Sequence, residues 1–326
     1  MIDRERALGV GLIVVSACGF GSGALFAKPL YAGGIDWMTL LAWRFLFAAV
    51  LSWGWLLLFP TQRRALRTIS RRRVLVLVLL GLLYVGNSGT YFAGLETVSA
   101  SLAALIVYIY PAVVAVISIR FARRLEGRRA WVALGLATLG VALAVGGIDA
   151  GSAPPLLGLA LIVASPLIYA IWIILAARLA GERSERDAPV PPYDSETAVE
   201  SEPADPAPTA AIMLTATAGA WWVAALLAGR PVAPWQIPTD AWLGLFGVGL
   251  LATALAIQAF YAGARRIGAA QASLVSTVEP IYTITLAALL LGETLQPIQL
   301  AGGALVIIGV LMAQSGNRAR AEQPAT

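Results

Sequence analysis

The chain has 326 residues, of which 59% are hydrophobic and only 13% are charged, and its formal net charge is +5. This composition favours lipid, not water, as the solvent around most of the chain. The chain contains no histidine and a single cysteine, Cys18. Ser/His/Asp and Cys/His catalytic sets and Cys/His zinc sites are therefore excluded, and we expect no metal and no cofactor. Basic residues lie at the ends of apolar runs, which indicates membrane topology and argues against nucleic-acid binding.

Ten apolar stretches are long enough to cross about 30 Å of hydrocarbon as helices. We therefore predict an all-α polytopic membrane protein with ten transmembrane helices. The first half, residues 1–150, contains spans at about 8–30, 37–59, 74–95, 99–120 and 130–147. The second half, residues 151–326, contains spans at about 156–180, 209–229, 242–264, 268–291 and 299–313.

The two halves are joined by a segment of different composition. Residues 181–208 contain eight acidic residues and six prolines, and they cannot bury enough apolar surface to order themselves. We predict a disordered cytoplasmic linker here. Its composition fits a tolerated insertion and also fits a regulatory segment.

Positive charge separates the predicted loops into two classes. Twenty of the 23 Lys and Arg residues lie in the terminal segments and the alternate loops that share one side of the membrane. The other three are Lys28, Arg44 and Arg230. Because short cytoplasmic loops collect positive charge, this pattern predicts that both termini are cytoplasmic.

A repeat relates the two halves. Residues 90–111 (TYFAGLETVSASLAALIVYIYP) and 259–280 (AFYAGARRIGAAQASLVSTVEP) align without a gap, with six of 22 positions identical. The same offset pairs Gly140 with Gly309. Each half has five predicted spans, an odd number, so we predict two inverted five-helix repeats. Secondary carriers are built in this way, because exchanging the conformations of the halves converts an inward-facing state into an outward-facing one.

Four stretches together resemble the EamA-type ten-helix proteins of the drug/metabolite transporter superfamily. They are LAWRFLFAAVL around Arg44, YFAGLETVSASLAALIVYIYP, VEPIYTITLAALLLGETL and QLAGGALVIIGVLM. The resemblance implies a carrier in the bacterial inner membrane, often an exporter of amino acids and related metabolites, that works without ATP hydrolysis. Two features depart from the family pattern: the first half has Tyr110 where the second has Glu279, and the acidic linker is unusual.

Glu279 is a charged residue predicted near the membrane midplane, some 16 Å into the ninth span. A charge there is costly, and desolvation favours the neutral carboxyl. Glu279 could exchange protons or bind a substrate amine. It could equally act as a structural protonated Glu that bonds backbone carbonyls beside Pro280.

Arg44 is the second charge placed within a predicted span. It could hold a substrate carboxylate by a bidentate bond. The alternative is a structural or snorkelling arginine, paired with a carboxylate or a helix C-terminus.

Pro111 and Pro280 occupy equivalent positions of the repeat. In the middle of a helix, each proline would leave a carbonyl, that of Val107 or Ser276, without its donor. Paired breaks in equivalent spans indicate a substrate site. They also fit kinks that only shape helix packing.

Polar and aromatic side chains are predicted at the same depth as these prolines. As a set they favour a cavity that binds a small polar molecule, although each alone fits a packing hydrogen bond. They are Tyr84, Asn87, Ser88, Tyr91, Tyr108, Tyr110, Trp172, Gln258, Tyr261, Ser276, Thr277 and Tyr282.

The sequence thus predicts a secondary transporter and not an enzyme. Its expected partners are a small-molecule substrate and the bilayer, with proton coupling as an option and either a monomer or a homodimer as the assembly. The alternatives are a drug efflux carrier of the same fold, a membrane-embedded lipid-modifying enzyme, and a channel or scaffold. The enzyme lacks evident catalytic residues, and the channel lacks a ring of like charge.

Overall fold

The computed structural model describes residues 2–59, 63, 66, 69–122, 128–146, 153–179, 206–267, 272 and 275–315. Within these residues every regular element is helical, which confirms the all-α prediction. Residues Leu250–Leu255 form a π-helix, and residues Pro234–Gln236 form a 3₁₀-helix. The α-helices are α1 (Ile2–Ala32), α2 (Trp37–Leu58), α3 (Arg71–Leu95), α4 (Ala100–Val107), α5 (Tyr110–Ala122), α6 (Arg128–Gly146), α7 (Leu156–Leu179), α8 (Pro206–Leu227), α9 (Ala241–Gly249), α10 (Ala256–Ile267), α11 (Val278–Leu291) and α12 (Pro297–Ser315).

Six of the described helical stretches are long and apolar enough to cross a membrane. Four further apolar stretches are shorter. Large apolar side chains point outward along these helices: Leu58 is 77% exposed and Leu227 is 85% exposed. Such side chains are accommodated by lipid tails. The membrane-spanning prediction is confirmed, while the count of ten spans stays a prediction. The six long stretches are Arg4–Ala32, Trp37–Leu58, Arg71–Leu95, Leu156–Ala176, Ala207–Leu227 and Ala241–Ala264, and the shorter ones are Ala100–Val114, Leu134–Ala144, Val278–Leu291 and Pro297–Met312.

The predicted linker extends too far at its C-terminal end. Helix α8 already begins at Pro206, and Ala207 and Thr209 are buried. Proline is well tolerated in the first turn of a helix, so a proline-rich composition did not mark this boundary. Residues 180–205, which hold the rest of the predicted linker, lie outside the described residues.

Two helix pairs are held by close glycine contacts. Helix α1 packs on α10, and helix α3 packs on α7. A Cβ added to Gly263 would lie 2.9 Å from the carbonyl oxygen of Gly9, and one added to Gly94 would lie 2.8 Å from that of Gly158. Only glycine permits backbones to approach so closely, as is common between membrane helices.

The same two pairs also share a polar contact. Ser16 Oγ donates to the carbonyl of Ala256 at 2.8 Å, and Asn87 Nδ2 donates to Ser165 O and Oγ, both at 3.0 Å. The offset that aligns residues 90–111 with 259–280 also places Asn87 on Ala256 and Gly94 on Gly263. The α1–α10 and α3–α7 contacts therefore involve matching positions of the two halves.

The π-helix marks the point where the two halves differ in length. Gly81 packs against α8, where an added Cβ would lie 2.5 Å from Met213 O, and Gly249 packs against Phe47 of α2 in the same way. Five residues separate Gly81 from Asn87, but six separate Gly249 from the matching Ala256. A π-bulge accommodates one extra residue within a helix. The π-helix is therefore the place where the second half accommodates its one extra residue.

Glu293 connects the second half to the first. Its carboxylate accepts hydrogen bonds from the Ala100 and Ser101 amides, both at 2.8 Å, at the start of α4. Gly292 precedes it with φ of 66°, a left-handed conformation that ends α11. The Gly-Glu pair of the sequence motif thus caps a helix of the other half and places the end of α11 beside the start of α4.

Candidate functional site

The predicted fourth span is interrupted, and so is the chain before α11. Helix α4 ends at Val107, and α5 begins at Tyr110, so that Pro111 is its second residue. Pro280 is the third residue of α11. Both prolines therefore lie in a first turn, where the missing amide costs no helical hydrogen bond. The Ser276 carbonyl, which Pro280 leaves without an i+4 donor, accepts instead from the Glu279 amide at 3.0 Å.

The residues that precede the two prolines lie at similar depth. At a rise of about 1.5 Å per helical residue, Tyr110 lies about 15 Å along the helix axis from Ala100, and Glu279 lies about 18 Å from Leu291. Ala100 and Leu291 lie at the same end of the molecule because Glu293 bonds the start of α4. In a hydrocarbon layer of about 30 Å, both side chains belong near the middle.

Glu279 is surrounded by tyrosines from several helices. It interacts electrostatically with five of them, which we call the central cluster. Among the described residues, no side chain forms a hydrogen bond or an ion pair with the Glu279 carboxylate. Glu279 and four of the tyrosines are only half-buried despite their depth, so part of their surface is accessible. The central cluster consists of Tyr84, Tyr91, Tyr108, Tyr110 and Tyr169.

The rings near Glu279 pack against one another. The Tyr169 ring is stacked on Trp172, with centroids 5.8 Å apart and planes inclined by 12°. It meets Tyr110 at 4.9 Å and Tyr84 at 6.4 Å, and Tyr84 meets Trp172 at 5.2 Å. These four rings form one continuous surface, which we call the aromatic wall. Trp172 is fixed in it by donating from Nε1 to Leu80 O at 2.9 Å.

Arg44 is buried and bonded to the π-helix. Its Nε donates to Thr253 Oγ1 at 2.8 Å, and its Nη2 lies 3.5 Å from Ala252 O. Its guanidinium carbon lies 4.6 Å from the Phe92 ring centroid and 5.2 Å from that of Phe45, within cation–π range. In the part of the chain that the structure describes, no carboxylate pairs with Arg44. The π-helix therefore provides both polar partners of Arg44.

We predict that Thr253→Val lowers stability. Valine keeps the shape of threonine but removes the hydroxyl, which leaves the charged Nε donor of Arg44 buried without its closest acceptor. The expected loss is about 1 to 3 kcal/mol. Thermal unfolding of the purified protein in detergent measures it. Thr285→Val is the matched control, because Thr285 is exposed and bonds only its own helix at Ile281 O. Equal unfolding temperatures for the two variants would contradict the anchoring role.

Four of the sequence-predicted site residues have polar atoms that are already bonded, three of them to another helix and Ser276 to its own preceding turn. Asn87 bonds Ser165, as described above. The Ser88 hydroxyl donates to Tyr84 O and accepts from Trp221 Nε1 at 3.1 Å. Ser276 Oγ bonds Ala272 O of the preceding turn, and the Tyr282 hydroxyl lies 3.0 Å from Ser22 Oγ. For these residues the structure shows hydrogen bonds within the described part of the chain.

The remaining predicted residues lie on α10 and at the break before α11. Tyr261 interacts electrostatically with Tyr169, so it borders the central cluster. Gln258 lies one turn before it on the same helix face, and its buried Nε2 has no hydrogen-bond partner among the described residues. Thr277 lies in the turn that precedes α11.

Two residues of the site were missed in the sequence. Tyr169 is the hub of the aromatic wall, and its position three residues before Trp172 places both on one helix face, a spacing that could have indicated it. Cys18 interacts electrostatically with Glu279. No pattern in the sequence distinguishes Cys18 from an ordinary packing residue.

An apolar groove of about 710 Å³ lies apart from this site, between α2 and α8. Its lining is almost entirely apolar and includes Trp53, which donates to Thr215 Oγ1 at 2.8 Å. A groove of this chemistry suits acyl chains better than a polar solute. The central cluster remains the candidate site.

Comparison with known proteins agrees with this architecture. The model of the EamA-like transporter family matches residues 7–146 and 206–314. The chain belongs to the EamA-like transporter family. An uncharacterized transporter of Archaeoglobus fulgidus is 25% identical over 314 residues, which cover 95% of this chain and 97% of that protein. A solved crystal structure is similar with a TM-score of 0.62 at 18% identity, covering 97% of this chain and 99% of the other. That likeness shows the fold alone.

Family membership and the named relative identify a multi-pass membrane protein of a transporter family. A protein of this kind resides in a lipid bilayer and has a small-molecule substrate. The match falls in two stretches, one in each predicted half, and both include residues of the candidate site. Arg44, Tyr84 and Tyr110 lie in the first stretch, and Glu279 lies in the second.

Proposed function

We propose that the chain is a secondary carrier that exports amino acids or similar small polar metabolites across the bacterial inner membrane by alternating access. In this proposal both termini face the cytoplasm, and the side of the membrane with the arginine-rich loops is the cytoplasmic side. The central cluster and Glu279 bind the cargo. Arg44 holds α2 against the π-helix and sets the positions of Tyr84 and Tyr91, with which it interacts electrostatically.

The helix contacts support two inverted halves. The α1–α10 and α3–α7 pairs match, as do their glycine and polar contacts. The α2–α8 and α6–α12 pairs each join one helix of the first half to its proposed counterpart in the second. A carrier of this design moves its halves about a site at their interface.

The observation that carries the proposal is that two helices, α5 and α11, begin at the centre directly after a turn. Equivalent prolines follow equivalent breaks, and the residues before them, Tyr110 and Glu279, interact electrostatically across the interface of the halves. Discontinuous helices near the midplane supply binding sites in secondary carriers. Glu279 also lies in the first turn of α11, where the helix dipole favours a negative charge. The Glu279 carboxyl can therefore bind a proton at one stage of the transport cycle and a cargo group at another.

Counterflow in liposomes tests the proposal. Full-length protein is reconstituted, the lumen is loaded with an unlabelled amino acid or amine, and a trace of the same labelled compound is added outside. We expect transient accumulation of label for at least one compound of the panel, with flux that saturates as concentration rises. Exchange is faster than net flux because the binding site of a carrier can reorient across the membrane while cargo occupies it.

Protein-free liposomes provide the control for leakage. Flux that rises in proportion to concentration, without acceleration by unlabelled compound on the opposite side, would indicate a pore and contradict the carrier. Lack of counterflow across the whole panel would contradict amino acids and related metabolites as cargo.

A further inference from the structure

The side chains near Glu279 in the candidate site are mainly aromatic. Tyr84, Tyr110, Tyr169 and Trp172 form the aromatic wall, and the three tyrosines each interact electrostatically with Glu279. All four side chains are half-buried, so part of each ring remains accessible. Aromatic faces attract cations and are poor partners for anions.

The two charged groups near the site, Glu279 and Arg44, differ in whether they already have a polar partner. Among the described residues, Glu279 has no ion-pair partner. Arg44 is the nearby positive group, but it is only 7% exposed, and Phe45 and Phe92, against which it lies, are buried. Its Nε is bonded to Thr253 and its Nη2 is directed to Ala252 O. A cargo carboxylate would therefore have to compete for this guanidinium with the Thr253 hydroxyl and the Ala252 carbonyl.

We propose that the cargo carries an organic cation, a primary or quaternary ammonium on an apolar or aromatic body, bound between Glu279 and the aromatic wall. The inference rests on the proposed carrier function and narrows its cargo from zwitterions to amines. An amine places its charge against the carboxylate and its body against the rings. The α-carboxylate of an amino acid would lie near Glu279, and Arg44, the positive group beside Tyr84 and Tyr91, is already bonded through Nε and Nη2, so desolvating that carboxylate is costly.

Three probes that share one phenethyl body separate the charge from the shape. Phenethylamine is a cation, phenylalanine is a zwitterion, and 3-phenylpropionate is an anion. Isothermal titration calorimetry on the full-length protein in detergent measures their binding without any requirement for transport. We expect phenethylamine to bind at least about tenfold more tightly than phenylalanine, with no binding of 3-phenylpropionate.

Two substitutions assign the preference to the proposed groups. Glu279→Gln is expected to abolish the preference for phenethylamine over phenylalanine. Tyr169→Leu is expected to weaken phenethylamine binding by about tenfold, whereas Tyr169→Phe keeps the ring and should bind nearly as well as the original protein. If Tyr169→Leu does not fold, Trp172→Leu compared with Trp172→Phe makes the same test on the neighbouring ring.

Phenylalanine or 3-phenylpropionate binding as tightly as phenethylamine would overturn the inference, and so would lack of binding by all three probes. Equal phenethylamine affinity for the Leu and Phe variants at residue 169 would also overturn it, since the ring would then contribute nothing. Saturable counterflow of an amino acid without amine binding would remove only this inference and leave the carrier in place.

Discussion

Glu279→Gln is expected to reduce counterflow to the level of protein-free liposomes while the protein still folds. Glutamine has nearly the same shape, but it carries no charge and cannot exchange a proton. Because no described side chain bonds the Glu279 carboxylate, the substitution leaves no partner unpaired. Removing the charge also relieves the cost of desolvating a carboxylate, so we expect unchanged or higher thermal stability.

Initial counterflow rates at saturating cargo and unfolding temperatures of the same preparations measure this result. Glu5→Gln is the matched control, since Glu5 forms an exposed ion pair with Arg266 at 3.2 Å far from the centre. Exposed pairs contribute little to stability, and we expect original rates from this variant. If Glu279→Gln keeps its full rate, Glu279 has no role in the transport cycle and the site is placed elsewhere.

Gly140→Ala and Gly302→Ala are expected to destabilise the protein strongly. Helices α6 and α12 pack along much of their length, and these two glycines meet where the backbones are closest. A Cβ on Gly140 would lie 2.5 Å from Gly302 O and 2.9 Å from the Val306 amide. The obstructing atoms are backbone, so the helices must separate. We expect a loss of about 3 kcal/mol or more, at or above the upper end of overpacking costs.

Gly135→Ala separates this packing effect from helix propensity. Gly135 belongs to the same helix, α6, but an added Cβ there would meet nothing within 4 Å. Alanine favours a helix over glycine by about 1 kcal/mol, and the control should therefore be neutral or slightly more stable. The temperature at which each detergent-solubilised variant loses its monodisperse size-exclusion peak gives the ranking. Equal temperatures for Gly135→Ala and Gly140→Ala would contradict the close α6–α12 approach.

The candidate site was predictable in part, because charge and proline are rare inside lipid and therefore visible in a sequence. Glu279, Arg44, Pro111 and Pro280 were found on that ground. The polar side chains were harder to assign. An Asn or Ser can serve a cavity or a packing contact equally well, and only the neighbouring helix shows that Asn87 bonds Ser165.

Arg44 illustrates the same limit more sharply. Its sequence position fits a substrate clamp, a snorkelling arginine or a structural pair. The structure shows partners that none of these interpretations named: the Thr253 hydroxyl and the Ala252 carbonyl of the π-helix. This π-helix accommodates the one residue by which the second half is longer than the first. A one-residue insertion becomes visible only when the two halves are compared contact by contact.

The sequence by itself determined that this chain is an all-helical membrane protein, since its apolar runs have the length that crosses lipid as a helix, which satisfies its backbone hydrogen bonds internally. Its motifs also determined the resemblance to EamA-type transporters, which the family match confirms. The tertiary structure alone decided which polar groups face one another. That Glu279 lies among tyrosines from several helices, and that Arg44 is enclosed beside them, depends on helix rotation and glycine contacts. Apolar periodicity does not encode these, because lipid-facing and helix-facing positions are equally hydrophobic.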